Sequence, residues 1–218
     1  MYLWRKLTLD EREQLLAERI ARRRPWHSPP RWGDDEKTLF HLTAACYEHA
    51  PLFGFTAERM DGFVRDLQTV LESATKRTFA WCVLTNHYHL LVETQNLRAT
   101  TKALGQLHGR VSFAWNGAEG LRGRKCFQRV ADRAIRNDRH FWATMNYIHH
   151  NPVRHGYVEK WTEWPWSSAH DFLGGVGREA AARLWREYPL HDYGAGWDEH
   201  VVPPLGGMPG DFPNELPN

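Results

Sequence analysis

Residues 79–93, FAWCVLTNHYHLLVE, decide the fold of this chain. The first six of them are an apolar run that predicts a short strand, and the last seven predict a second strand. Thr85-Asn86 lies between the two runs and has the length of a tight turn, so the stretch predicts a β-hairpin. Because side chains alternate along a strand, His87 and His89 are expected on one face of the hairpin and Tyr88 on the other.

The two histidines of this hairpin have two interpretations. Imidazoles that project together from one strand are suited to bind a single divalent metal. A His-x-His pattern is also short and common, so a purely structural pair stays open from these residues alone. In that case one histidine is a surface residue and the other is satisfied within the sheet. Tyr88 is expected to pack in the core.

Strand and helix patterns alternate on both sides of the hairpin. Before it, 40–47 predicts a strand and 57–76 a helix with apolar residues at helical spacing. After it, we expect a helix over 98–116, a strand over 125–134 and a helix over 138–151. The order β-α-β-β-α-β-α is that of a ferredoxin-like split βαβ unit with one extra helix. The predicted fold class is therefore α/β, an α+β sandwich with a four-stranded antiparallel sheet.

The last of these helices carries a polar stripe beside its apolar one. Tyr147 and Asn151 lie on this polar stripe one turn apart, so they point the same way. Pro152 disfavours helical backbone for the residue before it, which predicts that the helix ends at Asn151. Periodicity alone also allows a half-buried Tyr147 with a solvated hydroxyl and an Asn151 that only caps the helix.

Two of these segments resemble motifs of a known family. Residues 85–92, TNHYHLLV, resemble the His-hydrophobe-His motif of the HUH single-tyrosine transposases, and 147–156, YIHHNPVRHG, resembles their tyrosine helix. The Tyr-Ile-x-x-Asn-Pro-Val form is characteristic of the REP-associated tyrosine transposases. Residues 161–168, WTEWPWSS, are similar to their C-terminal segment. The resemblance covers about 40–175.

The resemblance implies a role for each matching residue. Tyr147 would be the catalytic nucleophile, which attacks a DNA phosphate and forms a 5′-phosphotyrosine link. His87, His89 and Asn151 would bind a divalent metal, Mg²⁺ or Mn²⁺. Because Mg²⁺ prefers oxygen ligands, we expect Mn²⁺ to support the activity better.

Three neighbouring residues are weaker candidates. His149 and His150 flank the end of the tyrosine helix, where one of them is expected either to contact a phosphate or to remain solvated. Glu93 shares a strand face with the histidine pair, which makes it a candidate for an outer ligand or for a plain carboxylate at the rim of the site.

The resemblance implies single-stranded DNA, folded into a REP-type palindromic hairpin, as the partner. It favours a monomer over a homodimer. Basic residues between and after the two motifs are candidates for contacts with DNA phosphates, with an ordinary solvated charge as the alternative for each. These DNA-binding candidates are Arg122, Arg124, Lys125, Arg129, Arg133, Arg136 and Arg154.

Two other functions remain open at this level. One is a domesticated protein that binds hairpin DNA without cleaving it. The other is a metal-dependent phosphodiesterase that uses water as its nucleophile and leaves no protein adduct.

The overall composition agrees with a DNA-binding protein once the charge is divided by segment. The net charge is only +2, but 98–139 carries ten basic and three acidic residues, and 159–218 carries four and ten. The positive block therefore lies between the histidine strand and the tyrosine helix. Three cysteines without a CxxC pair and no long apolar run predict a cytoplasmic protein without a membrane span. The DNA partner that the resemblance implies makes it nucleoid-associated.

Four regions are expected along the chain. Residues 1–37 are predicted to be a helical extension with a Pro-rich linker, and 38–158 the HUH single-tyrosine transposase core. Residues 159–202 are predicted to form a Trp-rich C-terminal extension, and 203–218, with five prolines, a flexible tail.

Overall fold

A four-stranded antiparallel sheet lies at the centre of the part of the chain that the structure describes. Its strands are β1 Leu39–Ala45, β2 Arg77–Val83, β3 His87–Glu93 and β4 Ala131–Ala134. They lie in the order β2-β3-β1-β4, and each neighbouring pair is antiparallel. This is the sheet order of a split βαβ unit, so the predicted α+β fold with a ferredoxin-like core is confirmed.

The structure is a computed structural model that describes residues 8, 10, 14, 17, 38–191, 193 and 194. The chain divides into two units, Met1–Asp35 and Glu36–Asn218. In the first unit, the described residues 10, 14 and 17 are helical and exposed. The rest of the predicted N-terminal helix, nearly all of the linker and the 203–218 tail lie outside the described residues. The four predicted regions stay predictions.

Helices cover the sheet, and the longest ones begin at polar capping residues. The helices of the second unit are α1 Ala57–Ala74, α2 Leu97–Ala118, α3 Asp138–Arg154, α4 Ala169–Val176 and α5 Arg178–Glu187. The side chains of Thr56, Asn96 and Asn137 accept hydrogen bonds from the first-turn backbone N–H groups of α1, α2 and α3. Each bond satisfies a donor that the helix itself leaves open. Among the described helices, none is both long and apolar enough to cross a bilayer.

The two faces of the sheet are covered by different helices. Tyr88 and Leu90 of β3 are fully buried on the face that carries α1 and α2. The Tyr88 hydroxyl is 2.9 Å from Nε2 of His108 in α2, so its polar group is satisfied within the core. The alternate residues of β3, His87 and His89, face α3. Because side chains alternate along β3, an apolar core lies on one face of the sheet and a polar layer lies on the other face, under α3.

Two predicted element boundaries are wrong by three residues or more, while the others lie within two residues of the structure. The strand expected over 125–134 is continuous as β4 only over Ala131–Ala134. Phe127 still pairs with Cys46 in an isolated antiparallel bridge, but the register shifts by one residue before Ala131 pairs with Thr43, and this irregularity divides the predicted strand. Helix α3 continues past Pro152 to Arg154. A proline in the last turn removes one backbone donor, and the Asn151 carbonyl still accepts a hydrogen bond from the His155 N–H at 3.0 Å.

The segment after α3 covers the free edge of β2. The Val83 N–H donates to the Trp166 carbonyl at 2.9 Å, and the indole N–H of Trp164 donates to the Val83 carbonyl at 2.8 Å. Two residues further along this segment, the Ser168 N–H donates to the Trp81 carbonyl at 3.0 Å. These bonds occupy backbone groups that an edge strand otherwise exposes. The Trp-rich motif thus stabilises the strand next to the histidine strand.

Candidate active site

The histidine pair lies in a buried layer between the sheet and α3. His87 and His89 are 2% and 1% exposed, and their ring centroids are 4.9 Å apart. Both rings lie on the same side of the sheet because residues two positions apart on β3 point to the same face. The two imidazoles therefore lie on one face of the sheet, as the strand alternation predicts.

Helix α3 brings Tyr147 and Asn151 onto the same layer. The Asn151 Oδ1 atom is 3.2 Å from His87 Nε2, and the Tyr147 ring centroid is 5.2 Å from that of His89. Tyr147 and Asn151 are one turn apart and are both almost fully buried. Four side chains from two motifs thus meet at one place, although His89 and Tyr147 are 58 residues apart in the sequence.

The proton positions around His87 follow from its neighbours. Asn86 Nδ2 donates to the His49 carbonyl at 3.1 Å, which fixes the orientation of the Asn86 amide. Its Oδ1 atom then accepts from His87 Nδ1 at 2.7 Å. In the neutral imidazole, His87 Nε2 then carries the lone pair, and it lies 3.2 Å from the carboxamide oxygen of Asn151.

This arrangement fits a divalent cation. Two lone-pair atoms 3.2 Å apart match adjacent ligands of an octahedral ion, which lie about 3 Å apart when each bond is about 2.1 Å. In the described part of the chain, no cluster of three or more His, Cys, Asp and Glu side chains is arranged to bind a metal. The candidate metal ligands are instead the imidazoles of His87 and His89 and the carboxamide of Asn151.

Two residues of β1, His41 and Thr43, belong to the same layer and were missed by the sequence reasoning. Thr43 lies directly opposite His89 in the sheet, and its Oγ1 atom is 2.9 Å from His89 Nδ1. His41 Nε2 is 3.2 Å from the same nitrogen, and its ring centroid is 6.0 Å from that of Tyr147. The alternation His-Leu-Thr on a predicted strand was the available signal, because it places both polar side chains on one face.

His149, His150 and Glu93 do not reach the site. His149 points to the opposite side of α3, where its Nε2 atom is 3.0 Å from Ser168 Oγ. Burial lowers the pKa of His149 to about 3, so this imidazole is neutral at neutral pH. His150 packs against Trp161, and Glu93 forms an ion pair with Lys76 at the far end of β3.

Tyr193 and Gly194 cover the Tyr147 ring. The Tyr193 ring centroid is 5.7 Å from that of Tyr147, and the hydroxyls of Tyr193 and Thr144 are hydrogen bonded. A Cβ atom on Gly194 would overlap Tyr147 Cε2, so the backbone approaches the ring as closely as only glycine allows. Tyr147 is 1% exposed under this cover. Residues 193 and 194 thus form part of the cover over the Tyr147 ring.

The predicted DNA-binding residues fall into three groups. Arg154 and Arg133 are near the site: the Arg154 guanidinium lies 5.6 Å from the Tyr147 ring centroid, and Arg133 is opposite His41 in the sheet. Arg129 and Arg136 are exposed on or near β4. The other three, Arg122, Arg124 and Lys125, are engaged with the protein itself.

Arg124 illustrates the third group best. Its guanidinium binds Glu119 at 2.7 Å and Asn116 Oδ1 at 2.9 Å. Glu119 also binds Arg59 at 2.6 Å. Although burial opposes ionisation of Glu119, hydrogen bonds from both arginines lower the pKa of this carboxyl below its usual range. Arg124 therefore holds the loop after α2 in place.

Comparisons with known proteins confirm the resemblance that the motifs carry. No protein-family model matches the chain. The chain is 28% identical over 142 residues to a curated Haemophilus influenzae protein named "Putative REP-associated tyrosine transposase"; the match covers 52% of this chain and 74% of that protein. A solved structure of a REP-associated tyrosine transposase bound to a REP hairpin shares the fold, with a TM-score of 0.53 at 20% identity. That match covers 66% of this chain and 84% of the solved one.

Proposed function

We propose that this protein is a metal-dependent single-stranded DNA endonuclease and strand transferase that acts on REP-type hairpins through Tyr147. The observation that carries the proposal is the convergence of His87, His89, Tyr147 and Asn151 in one buried layer. The curated relative and the hairpin-bound structural neighbour support the same class of enzyme and of DNA. Incubation with a hairpin oligonucleotide and Mn²⁺, followed by denaturing electrophoresis, tests it through the expected covalent adduct.

The proposed chemistry is a transesterification. The Tyr147 phenol oxygen attacks the scissile phosphorus, the bond from phosphorus to the 3′ oxygen breaks, and that oxygen takes up a proton as a free 3′-OH. The 5′ phosphate stays linked to Tyr147. Attack by a 3′-OH on this linkage reverses the step and rejoins DNA. No external energy source is needed, since the number of phosphoester bonds is conserved.

His87, His89 and Asn151 are the residues that would hold Mg²⁺ or Mn²⁺. When bound, the cation would polarise the scissile phosphate and favour loss of the phenol proton, whose pKa is about 10 in free tyrosine. Asn151 Nδ2 is buried and has no hydrogen-bond partner among the described residues. In the proposed complex it would donate to a substrate oxygen while Asn151 Oδ1 contributes to the ligand set.

All of these residues come from one chain. In the described part, the histidine strand and the tyrosine helix meet without a second copy. This supports a monomer as the active form. We also propose that the enzyme works in the cytoplasm beside the nucleoid, where its DNA substrate lies; its described cysteines are free and buried, as in proteins of reducing compartments.

Salt dependence of hairpin binding separates the arginines that contact DNA from those that hold the fold. We expect Arg136→Gln to weaken hairpin binding and to reduce the slope of log affinity against log salt by about 1, as for one lost phosphate contact. Arg124→Gln, the matched control, leaves Glu119 without one of its partners. It should lower the free energy of unfolding by about 1–3 kcal/mol. Fluorescence anisotropy across a salt series, with thermal unfolding, measures both effects.

The opposite pattern would contradict this division. An Arg124→Gln protein of unchanged stability with a lower salt slope would assign Arg124 to the DNA surface. An unchanged slope for Arg136→Gln would remove Arg136 from it.

Removal of the Tyr193 ring should make Tyr147 more accessible. We expect Tyr193→Ser to accelerate adduct formation, because it deletes the ring that packs on Tyr147 and the phenol that binds Thr144. The variant Tyr188→Ser is the control, since Tyr188 packs on Trp142 instead. Single-turnover rates with a hairpin oligonucleotide measure the effect. A slower rate for Tyr193→Ser would show that the cover assists the reaction.

A hairpin-binding protein without cleavage is the second candidate function, and the burial of Tyr147 favours it. Such a protein would bind hairpins with the usual salt sensitivity and form no adduct in any divalent metal, also after Tyr193→Ser. Adduct formation in either protein excludes it.

A further inference from the structure

We propose that Thr43 and His41 are positioning residues that fix the tautomer and orientation of His89, so that its Nε2 atom presents a lone pair to the cation. The proposal rests on the proposed function, because it treats His89 as a metal ligand. Neither residue belongs to the two motifs that indicated the enzyme class. They are contributed by β1, the strand next to the histidine strand.

The three side chains form a closed triangle of hydrogen-bonding atoms. Thr43 Oγ1 is 2.9 Å from His89 Nδ1, His41 Nε2 is 3.2 Å from the same atom, and Thr43 Oγ1 is 3.4 Å from His41 Nε2. The antiparallel register places Thr43 directly opposite His89, so the sheet itself sets the shortest of these contacts. His41 and His89 are almost fully buried, which keeps competing water away from the triangle.

The donor and acceptor capacities of these groups allow two proton arrangements, and metal binding by His89 requires one of them. A hydroxyl both accepts and donates, so in the required arrangement Thr43 accepts from His89 Nδ1–H and donates to His41 Nε2. In this arrangement His89 is protonated on Nδ1, and its Nε2 atom is free of hydrogen. The reverse arrangement puts the proton on His89 Nε2, and a protonated nitrogen cannot bind a metal.

The other candidate ligand, His87, is oriented by a hydrogen bond of the same kind. Its Nδ1 atom is held by the oxygen of Asn86, which leaves its Nε2 atom to face Asn151. Both candidate ligands are thus held through Nδ1 by a neutral oxygen. Such outer hydrogen bonds orient metal-binding histidines, and their loss costs about 10- to 100-fold in metal affinity.

The experiment compares the wild type with Thr43→Val, which keeps the shape of the side chain and removes the hydroxyl. Nitrogen-15 NMR of the metal-free protein reports the tautomer of His89, and Mn²⁺ titration followed by electron paramagnetic resonance reports the affinity. We expect the Nδ1–H tautomer in the wild type and about 10- to 100-fold weaker Mn²⁺ binding in Thr43→Val. Thr43→Ser should restore both. Thr78→Val makes the same change in β2, opposite Val92 of β3, and should leave the His89 tautomer and the Mn²⁺ affinity unchanged.

A second variant, His41→Leu, tests the other corner of the triangle in case Thr43→Val unfolds. It should also weaken Mn²⁺ binding, and thermal unfolding verifies that each variant is folded. An Nε2–H tautomer for His89 in the metal-free wild type, or unchanged Mn²⁺ affinity in folded Thr43→Val, overturns the inference. A wild type that binds no Mn²⁺ contradicts the proposed metal role, while the tautomer, measured without metal, still decides whether Thr43 fixes His89.

Discussion

Tyr147→Phe is expected to abolish the covalent protein–DNA adduct while leaving hairpin binding intact. The substitution removes only the phenol oxygen, and the ring keeps its contacts with His89 and Tyr193. Removal of the nucleophile from a covalent mechanism costs far more than a positioning defect, so the rate should fall by more than about 10³-fold. Denaturing electrophoresis of a labelled hairpin, incubated with Mn²⁺, measures the adduct.

Tyr193→Phe is the matched control for this experiment. Its ring lies beside that of Tyr147, and the substitution removes a hydroxyl that is hydrogen bonded to Thr144. It should still form the adduct. If Tyr147→Phe forms the adduct at the wild-type rate, Tyr147 is not the nucleophile and the proposed mechanism is wrong.

His87→Gln is expected to remove most of the cleavage activity by disrupting the cation site. The change deletes the Nε2 lone pair that faces Asn151 Oδ1 at 3.2 Å. Because the loss of an outer hydrogen bond alone costs about 10- to 100-fold in metal affinity or activity, loss of a ligand should cost more than about 100-fold. Single-turnover cleavage over a range of Mn²⁺ concentrations measures it. Chelation of the metal should stop cleavage by the wild type, and added Mn²⁺ should restore it.

His108→Gln is the control for a buried histidine without a metal role. His108 lies on the other face of the sheet, bonded to Tyr88 and stacked on Phe127, and burial lowers its pKa to about 4. Its replacement should lower the thermal stability and leave the cleavage rate of the folded protein unchanged. Equal loss of cleavage in folded His87→Gln and His108→Gln would indicate a structural role for both.

Local periodicity was sufficient for the parts of the site that lie on single elements. The strand period of two placed His87 and His89 together, and the helix period of 3.6 placed Tyr147 and Asn151 together. The same helix period also indicates that His149 points away from the site. Two residues after Tyr147 correspond to about 200° around the helix, which turns His149 to the far side, against Trp161 and Phe172.

Contacts between distant elements could not be derived in this way. Thr43 meets His89 because β1 pairs with β3 in one particular register, and no local pattern in either strand specifies that register. Tyr193 and Gly194 return to cover Tyr147 from a segment that carries no strong helix or strand signal. The engagement of Arg124 by Glu119 likewise depends on the conformation of the loop after α2.

The most direct test of the proposed function is to identify the residue that carries DNA. The wild type would be incubated with a hairpin oligonucleotide and Mn²⁺, the adduct digested with nuclease and protease, and the peptides sequenced by mass spectrometry. We predict a 5′-linked nucleotide remnant on Tyr147. A remnant on the neighbouring Tyr193, or cleaved DNA with a free 5′ phosphate and no modified peptide, would contradict the account.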